Sequence, residues 1–295
     1  MKDLRVICAL SAICFLGGPL GTPEYDGTSN GLELVQYVAD STAFNVNSVV
    51  IVGETESILI DTQYHVADAR RVADQIAATG TRLKAIFITH PDHDHFAGAA
   101  VIVERFPGTP VYMTAAAVHH FDSAGVDAFR RDKSRQGDLL ADSVVMPQVL
   151  PSNHLTVDGD TIEIIPDLQG DVLDPVNSVV WIPSLRTLIA SDVVFNGVHV
   201  WLGASNEATR TAWRDGLRHL QELRPAVVVA GHKPTVETPD TPTSLQTMSD
   251  YLADFDAARE TSKDWRELVA ATREKYPWKV GLLLNYSARS AFRQR

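Results

Sequence analysis

Cysteine is almost absent from this chain of 295 residues. The two that occur, Cys8 and Cys14, fall within the first fourteen positions and read as small apolar residues in an apolar segment. From Phe15 onward there is no thiol, which excludes disulfides, thiolate metal sites and a catalytic cysteine from the body of the protein. Long hydrophobic runs are absent too; none approaches the roughly 18–20 residues of a membrane-spanning helix. Basic residues are in deficit, 26 Lys and Arg against 37 Asp and Glu, for a net charge of −11. A phosphate backbone would be repelled by such a surface, so bulk nucleic-acid binding is disfavoured. Short repeats, low-complexity tracts and long linkers are missing as well. What remains is an ordinary globular balance, 45% hydrophobic and 21% charged, with ample material for a buried core.

The first twenty residues have the outline of a secretory signal peptide. Lys2 and Arg5 precede an apolar stretch, Val6–Leu16, and Gly17-Gly18-Pro19 follows. Asp3 is unusual in such a segment, there is no A-x-A cleavage site, and Ile13 occupies the place before Cys14 where a lipoprotein signal has a small residue. Export is slightly favoured over a cytoplasmic location. Residues 1–31 are read as this segment plus a turn-rich lead-in, and residues 32–295 as one domain.

The body alternates strand-like and helical runs. Leu32–Val38, Val46–Val52 and Ser57–Ile60 read as strands, the last two joined by a hairpin turn at Gly53-Glu54-Thr55-Glu56. Apolar residues at Val66, Ala69, Val72, Ala73 and Ile76 predict a helix over Val66–Thr79 that stops at Gly80. Leu83–Thr89 reads as a buried strand, followed by a helix over Ala97–Arg105, a strand near Val111 and a helix from Ala115. Phe129–Asp142 is charged and without clear period, and reads as an exposed excursion. Further strands are expected at Thr161–Ile165, Ser178–Ile182, Thr187–Ala190 and Ala226–Ala230, and helices at Thr209–Leu223, Leu245–Ala258 and Trp265–Glu274. Two similar halves of this kind imply a layered α/β protein.

Chemistry concentrates in His90-Pro91-Asp92-His93-Asp94-His95, which follows the buried strand directly. Five imidazole or carboxylate groups in six positions form a ligand set for a divalent metal. The run Ile88-Thr89-His90-Pro91-Asp92-His93-Asp94-His95-Phe96-Ala97-Gly98 resembles the T-H-x-H-x-D-H-x-x-G signature of the metallo-β-lactamase superfamily. Three more pieces resemble that family in the same order: Leu59-Ile60-Asp61-Thr62, Ile189-Ala190-Ser191-Asp192 and Val229-Ala230-Gly231-His232. The resemblance spans roughly residues 32–235 and implies a four-layer αββα sandwich with a metal site at one edge of the two sheets. It also implies one metal held by Asp94, His95 and His232, with Asp192 bridging to a second. The second retains His90. Its other two histidines are replaced: Asp92 stands at one position, and the place of the other holds a stretch containing Asp171. One or two divalent ions remain open, with zinc first and manganese or iron admitted by the harder oxygen donors. His154 comes too early in the chain to substitute.

A metal of this kind acidifies its bound water from a pKa near 15.7 to about 7. The reading is therefore a metal-dependent hydrolase in which a metal-bound hydroxide attacks a small carbonyl substrate: an ester, lactone or thioester, less readily a β-lactam. Asp94 is the candidate to orient that hydroxide and pass on its proton. His199, seven residues beyond Asp192, is a second catalytic candidate. Tyr64, His65, Phe96, Phe195, Asn196 and Trp201 follow strands that end at the ligands and are candidate wall residues. A non-heme iron redox enzyme and a catalytically degraded relative are the competing readings on the same fold. The expected partner is a small-molecule substrate; a nuclease is disfavoured by the acidic balance.

Overall fold

A computed structural model describes residues 31–278 and 282–293. The leader-like segment, Cys8 and Cys14 lie outside the described residues. Two sheets occupy the centre. The first runs in chain order through β1 (Glu33–Val38), β2 (Asn47–Val52), β3 (Glu56–Ile60), β4 (Arg82–Phe87), β5 (Val111–Met113) and β6 (Gln148–Val149). The second contains β7 (His154–Val157), β8 (Asp160–Leu168), β9 (Asn177–Ile182), β10 (Thr187–Phe195) and β11 (Val227–His232), in the order β11-β10-β9-β8-β7. Helices α1 (Val66–Thr79), α2 (His93–Phe96), α3 (Ala99–Arg105), α4 (Ala115–His120) and α5 (Val126–Gln136) lie with the first sheet. Helices α6 (Glu207–Glu222), α7 (Thr243–Thr261), α8 (Trp265–Lys275) and α9 (Leu282–Arg293) lie with the second.

Strand alternation explains the layering. Successive side chains of a strand point to opposite faces, and both faces of each sheet are covered here. Ile51, Ile58, Ile60 and Phe87 meet Ile162, Ile164, Val180, Ile182 and Ile189 between the sheets. Their neighbours Val50, Leu59 and Ile86 instead pack outward on Val72, Ile76 and Ile102. On the other side, Val179, Trp181, Leu188 and Val228 pack on Trp213, Leu217, Leu252 and Phe255. The result is the αββα order expected from the sequence. Strands buried on both faces read as near-continuous apolar runs, which is why β2, β9 and β10 were legible. Helix ends follow local chemistry as well. Gly80 closes α1 in the left-handed region at φ 71°, and Asn206 with Thr209 forms a reciprocal cap at the start of α6. No described helix is long and apolar enough to cross a membrane.

The sequence reading of Phe129–Asp142 as an exposed excursion needs correction. Residues 126–136 form α5, and Phe129 and Asp132 on it are buried. Phe129 reaches Phe96, with ring centroids 6.2 Å apart. A helix anchored by one aromatic and one carboxylate leaves no amphipathic period to read. The C-terminal part, Leu282–Arg293, covers the second sheet through buried Leu284 and Ala288.

At one edge the sheets are stitched together beside the strand ends. Val46 bridges His232 across the gap, and Ser178 N–H donates to the Thr89 carbonyl at 3.1 Å. Gly98 belongs to this seam: its N–H donates to the Gln63 carbonyl at 2.9 Å. A Cβ at Gly98 would overlap the Thr62 carbonyl oxygen and press on Ala69 of α1. Gly98→Ala is therefore expected to destabilise the fold by about 1–3 kcal/mol through overpacking, seen as a lower urea midpoint with an unchanged slope.

Candidate metal centre

Every candidate ligand sits where a strand runs out or bends. The chain leaves β4 through Ile88 and Thr89 to His90. Asp92 then caps α2, its carboxylate accepting from His93 N–H at 2.8 Å. The single turn of α2 carries Asp94 and His95 into the interior, where both are buried. Asp192 follows a kink in β10 at Ser191, whose φ is 43°, and the β10–β11 register shifts there. His232 is the last residue of β11. Gly231 beside it has no room for a side chain, because a Cβ would overlap Asp192 Oδ1.

The structure brings together all seven residues that the sequence singled out as metal ligands. Three groups have ligand atoms within 4.8 Å of one another: His90, His95 and Asp192; Asp94, His95 and His232; and His90, Asp92 and Asp171. Asp192 stands at the centre. His232 Nε2 is 3.0 Å from its Oδ2, His95 Nε2 is 3.1 Å from its Oδ1, and His90 Nε2 is 4.0 Å from its Oδ2. Asp94 Oδ2 lies 3.5 Å from His232 Nε2, and Asp171 Oδ1 lies 3.7 Å from His90 Nε2.

These residues fit a divalent cation. His90 Nε2 and Asp171 Oδ1 are buried without a hydrogen-bond partner, and His95 Nε2 and Asp192 Oδ1 face each other at 3.1 Å without forming a hydrogen bond, a costly state unless something else satisfies them. The outer nitrogens of two rings are meanwhile engaged. His95 Nδ1–H donates to Asp61 Oδ2 at 2.9 Å, and His232 Nδ1–H donates to the Phe44 carbonyl at 2.9 Å. Such partners fix the tautomer and aim Nε2 inward, as metal-ligating histidines require. Asp61 is the hub behind them. It sits at φ 57° and also accepts from Thr89 N–H at 2.9 Å and Ser191 Oγ–H at 3.0 Å.

The electrostatics follow from crowding these charges in a buried site. Burial, reinforced by the charge of His95, lowers the His90 pKa, which keeps the imidazole in its neutral, ligating form. Burial and the charges of Asp192 and Asp92 push Asp171 well above the usual carboxylate range. Asp192 is held well below that range; burial opposes its charge, but His232 and His95 outweigh it. Burial opposes the charge of His95 and His232 as well, but Asp192 and its neighbours raise both rings above the ordinary imidazole value, so without a cation their protons balance part of the negative charge.

The remaining candidates take other places. His199 joins none of the three groups; its Nδ1 is 3.1 Å from Tyr251 Oη, and its ring lies 5.7 Å from that of Trp278. Phe195 stacks on His232 at 4.7 Å, whereas Phe96 packs in the core against Phe121. His65 precedes α1 and stacks on Tyr64 at 4.8 Å. Asn196 donates to the Pro239 carbonyl. Trp201 is half-buried beside Tyr286. His154 is exposed at the start of β7. Sequence reasoning missed the support: the Phe44 carbonyl, Ser191 as a donor to Asp61, and His93 with Asp132. Ser191 lies within a quoted motif and was within reach, but no spacing points to Phe44 or Asp132.

With this geometry in hand, the comparisons with known proteins decide the family. Residues 41–232 match the family model of the metallo-beta-lactamase superfamily. The chain belongs to that superfamily. Its members are largely metal-dependent hydrolases, and the fold here is of that type. A curated relative, the hydroxyacylglutathione hydrolase of Gloeobacter violaceus, is 42% identical over 48 residues. That segment is 16% of this chain and 19% of the relative, so the match spans only a small part of the relative's length. Among solved structures, a metallo-beta-lactamase family protein from Thermus thermophilus has a TM-score of 0.61 at 18% identity, over 89% of this chain and 91% of its own. The metallo-beta-lactamase from Pontibacter korlensis has a TM-score of 0.57 at 18% identity, over 76% and 99%. A sec-alkylsulfatase from Pseudomonas sp. has a TM-score of 0.56 at 18% identity, over 84% of this chain and 47% of its own. At such identities the likeness is one of fold.

In this metallo-beta-lactamase superfamily member, Asp61 ties together the segments that carry the candidate ligands. Asp61→Ala leaves the His95, Thr89 and Ser191 donors buried without their acceptor. The expected loss is about 3–5 kcal/mol, the usual cost of stripping one partner from a buried charged pair, measured by chemical denaturation of the metal-free protein. Asp61→Asn, which keeps one acceptor, should lose less.

Proposed function

We propose that the chain is a divalent-metal-dependent hydrolase of a small carbonyl substrate: an ester, a lactone or a thioester. The observation that carries this is the set of unpartnered imidazole nitrogens and carboxylate oxygens converging on buried Asp192. In this reading Asp94, His95 and His232 hold one ion, and His90, Asp92 and Asp171 hold a second. Asp192 lies between them and serves both. The first set is the richer in imidazole and suits zinc; the second is richer in oxygen and admits manganese or iron. A bound ion supplies Lewis acidity, making a water available as nucleophile at neutral pH and polarising the carbonyl under attack.

The chain's own residues do the rest. Asp94 Oδ2 faces His232 and His95 at 3.5 and 3.9 Å. Its other oxygen is free to hold the attacking water, take its proton and return that proton to the leaving group. Buried walls around Asp192 restrict bulk water. His199, packed on Tyr251 and near Trp278, is assigned to anchoring the C-terminal segments rather than to the reaction. The name of the Gloeobacter violaceus relative, a hydrolase of an acylated glutathione, supports a carbonyl substrate; the short match keeps this at the level of class. A second reading rests on two of the three groups having two imidazoles and one carboxylate, the donor set of non-heme iron oxygenases.

Elemental analysis of protein purified without added metal should find one to two equivalents of zinc, manganese or iron. Chelation should lower the melting temperature, since an ion bound only by the folded state adds to stability. Protein that holds no ion, and takes up none of the three, would falsify the proposal. Iron content with oxygen uptake and no ester, lactone or thioester turnover moves the reading to the redox alternative. Asp94→Asn should lower turnover by about 10²–10⁴-fold, the usual contribution of a positioned acid–base group, as measured by kcat on whichever panel substrate responds.

A further inference from the structure

Asp92, which stands where the superfamily signature has its second histidine, is held from outside the metal cluster. His93 Nδ1 lies 2.9 Å from Asp92 Oδ1, and His93 Nε2 lies 2.9 Å from Asp132 Oδ2. Both ring nitrogens face carboxylate oxygens at ion-pair distance, so a charged ring would link the two carboxylates. The far end is anchored on α5. Asp132 is buried, accepts from Tyr64 Oη–H at 2.9 Å and pairs with Arg135 one turn along. Tyr64 also packs 5.3 Å from the His93 ring. At the near end Asp92 Oδ1 is engaged twice, by the His93 ring and by the His93 backbone N–H.

The chemistry explains why such a device is needed. An imidazole ligand presents one nitrogen on a rigid ring. A carboxylate on a short turn rotates freely about its last torsion and offers two equivalent oxygens. Fixing Oδ1 from outside leaves Oδ2 as the oxygen for a cation. We infer that His93, itself held by Asp132 and Tyr64, is a positioning residue that orients the Asp92 carboxylate toward the ion shared with His90 and Asp171. The inference rests on the metal reading above. It gives α5, a helix that contributes no ligand, control over the oxygen-rich half of the centre.

The test is calorimetric titration of the metal-stripped chain with zinc and with manganese. Wild type is compared with His93→Phe, His93→Gln, Asp132→Asn, Asp92→Asn and the double variant Asp92→Asn/His93→Phe. Thermal unfolding of each stripped protein checks the fold. His93→Phe keeps an aromatic ring against Tyr64 but no donor. It and Asp132→Asn should weaken one binding event about 10–100-fold, the usual cost of losing an outer partner of a ligand, and spare the other. His93→Gln, with one donor restored, should recover part of the loss. In the Asp92→Asn background His93→Phe should cost nothing further, because the two act as one unit. An equal penalty with and without the Asp92 carboxylate would make His93 a brace between α2 and α5, and overturn the inference. Wild-type affinity in both His93→Phe and Asp132→Asn overturns it too, as does a single bound ion untouched by Asp92→Asn; in either case the metal reading stands. A wild-type chain that takes up no ion removes both. If His93→Phe does not fold, the near-isosteric Asp132→Asn carries the comparison.

Discussion

Charge confined in an apolar seam is the constraint on which this structure depends. Asp92, Asp94, Asp171 and Asp192 gather with three imidazoles at the edge where the two sheets meet, and Asp171 and Asp192 are 2% exposed. Buried carboxylates at this spacing cannot all remain ionised without compensation. The chain compensates in part by pairing Asp192 with His95 and His232 and in part by pushing Asp171 toward its protonated form. A cation would complete the balance. The rigidity around the cluster follows from the same constraint, since a mobile carboxylate would relax toward water.

Asp61 converts that constraint into tertiary structure. It accepts from the chain after β4 through Thr89, from α2 through His95 and from β10 through Ser191. One buried carboxylate thus joins both sheets and fixes a ring tautomer at the centre. The glycines beside it serve the same packing. Gly98 lets α2 and α3 settle on the turn at Thr62, and Gly231 leaves space for Asp192. Their conformations are ordinary for the most part; what matters is that no Cβ fits.

The C-terminal helices and α5 add a different kind of support. His199, Tyr251, Tyr276 and Trp278 form an aromatic cluster, Tyr251 stacking on Trp278 at 5.7 Å. Burial lowers the His199 pKa to about 4, so the ring stays neutral and packs as an apolar partner near neutral pH. His199 lies seven residues from Asp192 in sequence, and the loop after β10 turns its ring toward Tyr251 of α7. Distance along the chain said nothing of that direction.

Much of the molecule was legible because it depends on local rules. Runs of β-branched residues marked β2, β9 and β10, the spacing from Val66 to Ile76 marked α1, and the dense His-Asp run marked the site. Four ligand candidates, His90, Asp92, Asp94 and His95, came from that run; Asp171, Asp192 and His232 came from the order of the pieces that resemble the family. What remained hidden depends on contacts between residues far apart in the chain. Asp132 meets His93 only because α5 folds back over α2. His232 aims its Nε2 inward only because the Phe44 carbonyl, 188 residues away, takes its Nδ1 proton. Strand alternation and helical spacing repeat every two to four residues, so they can be read from sequence. The direction a side chain faces across a fold is set by packing between elements, and tertiary structure alone decides it.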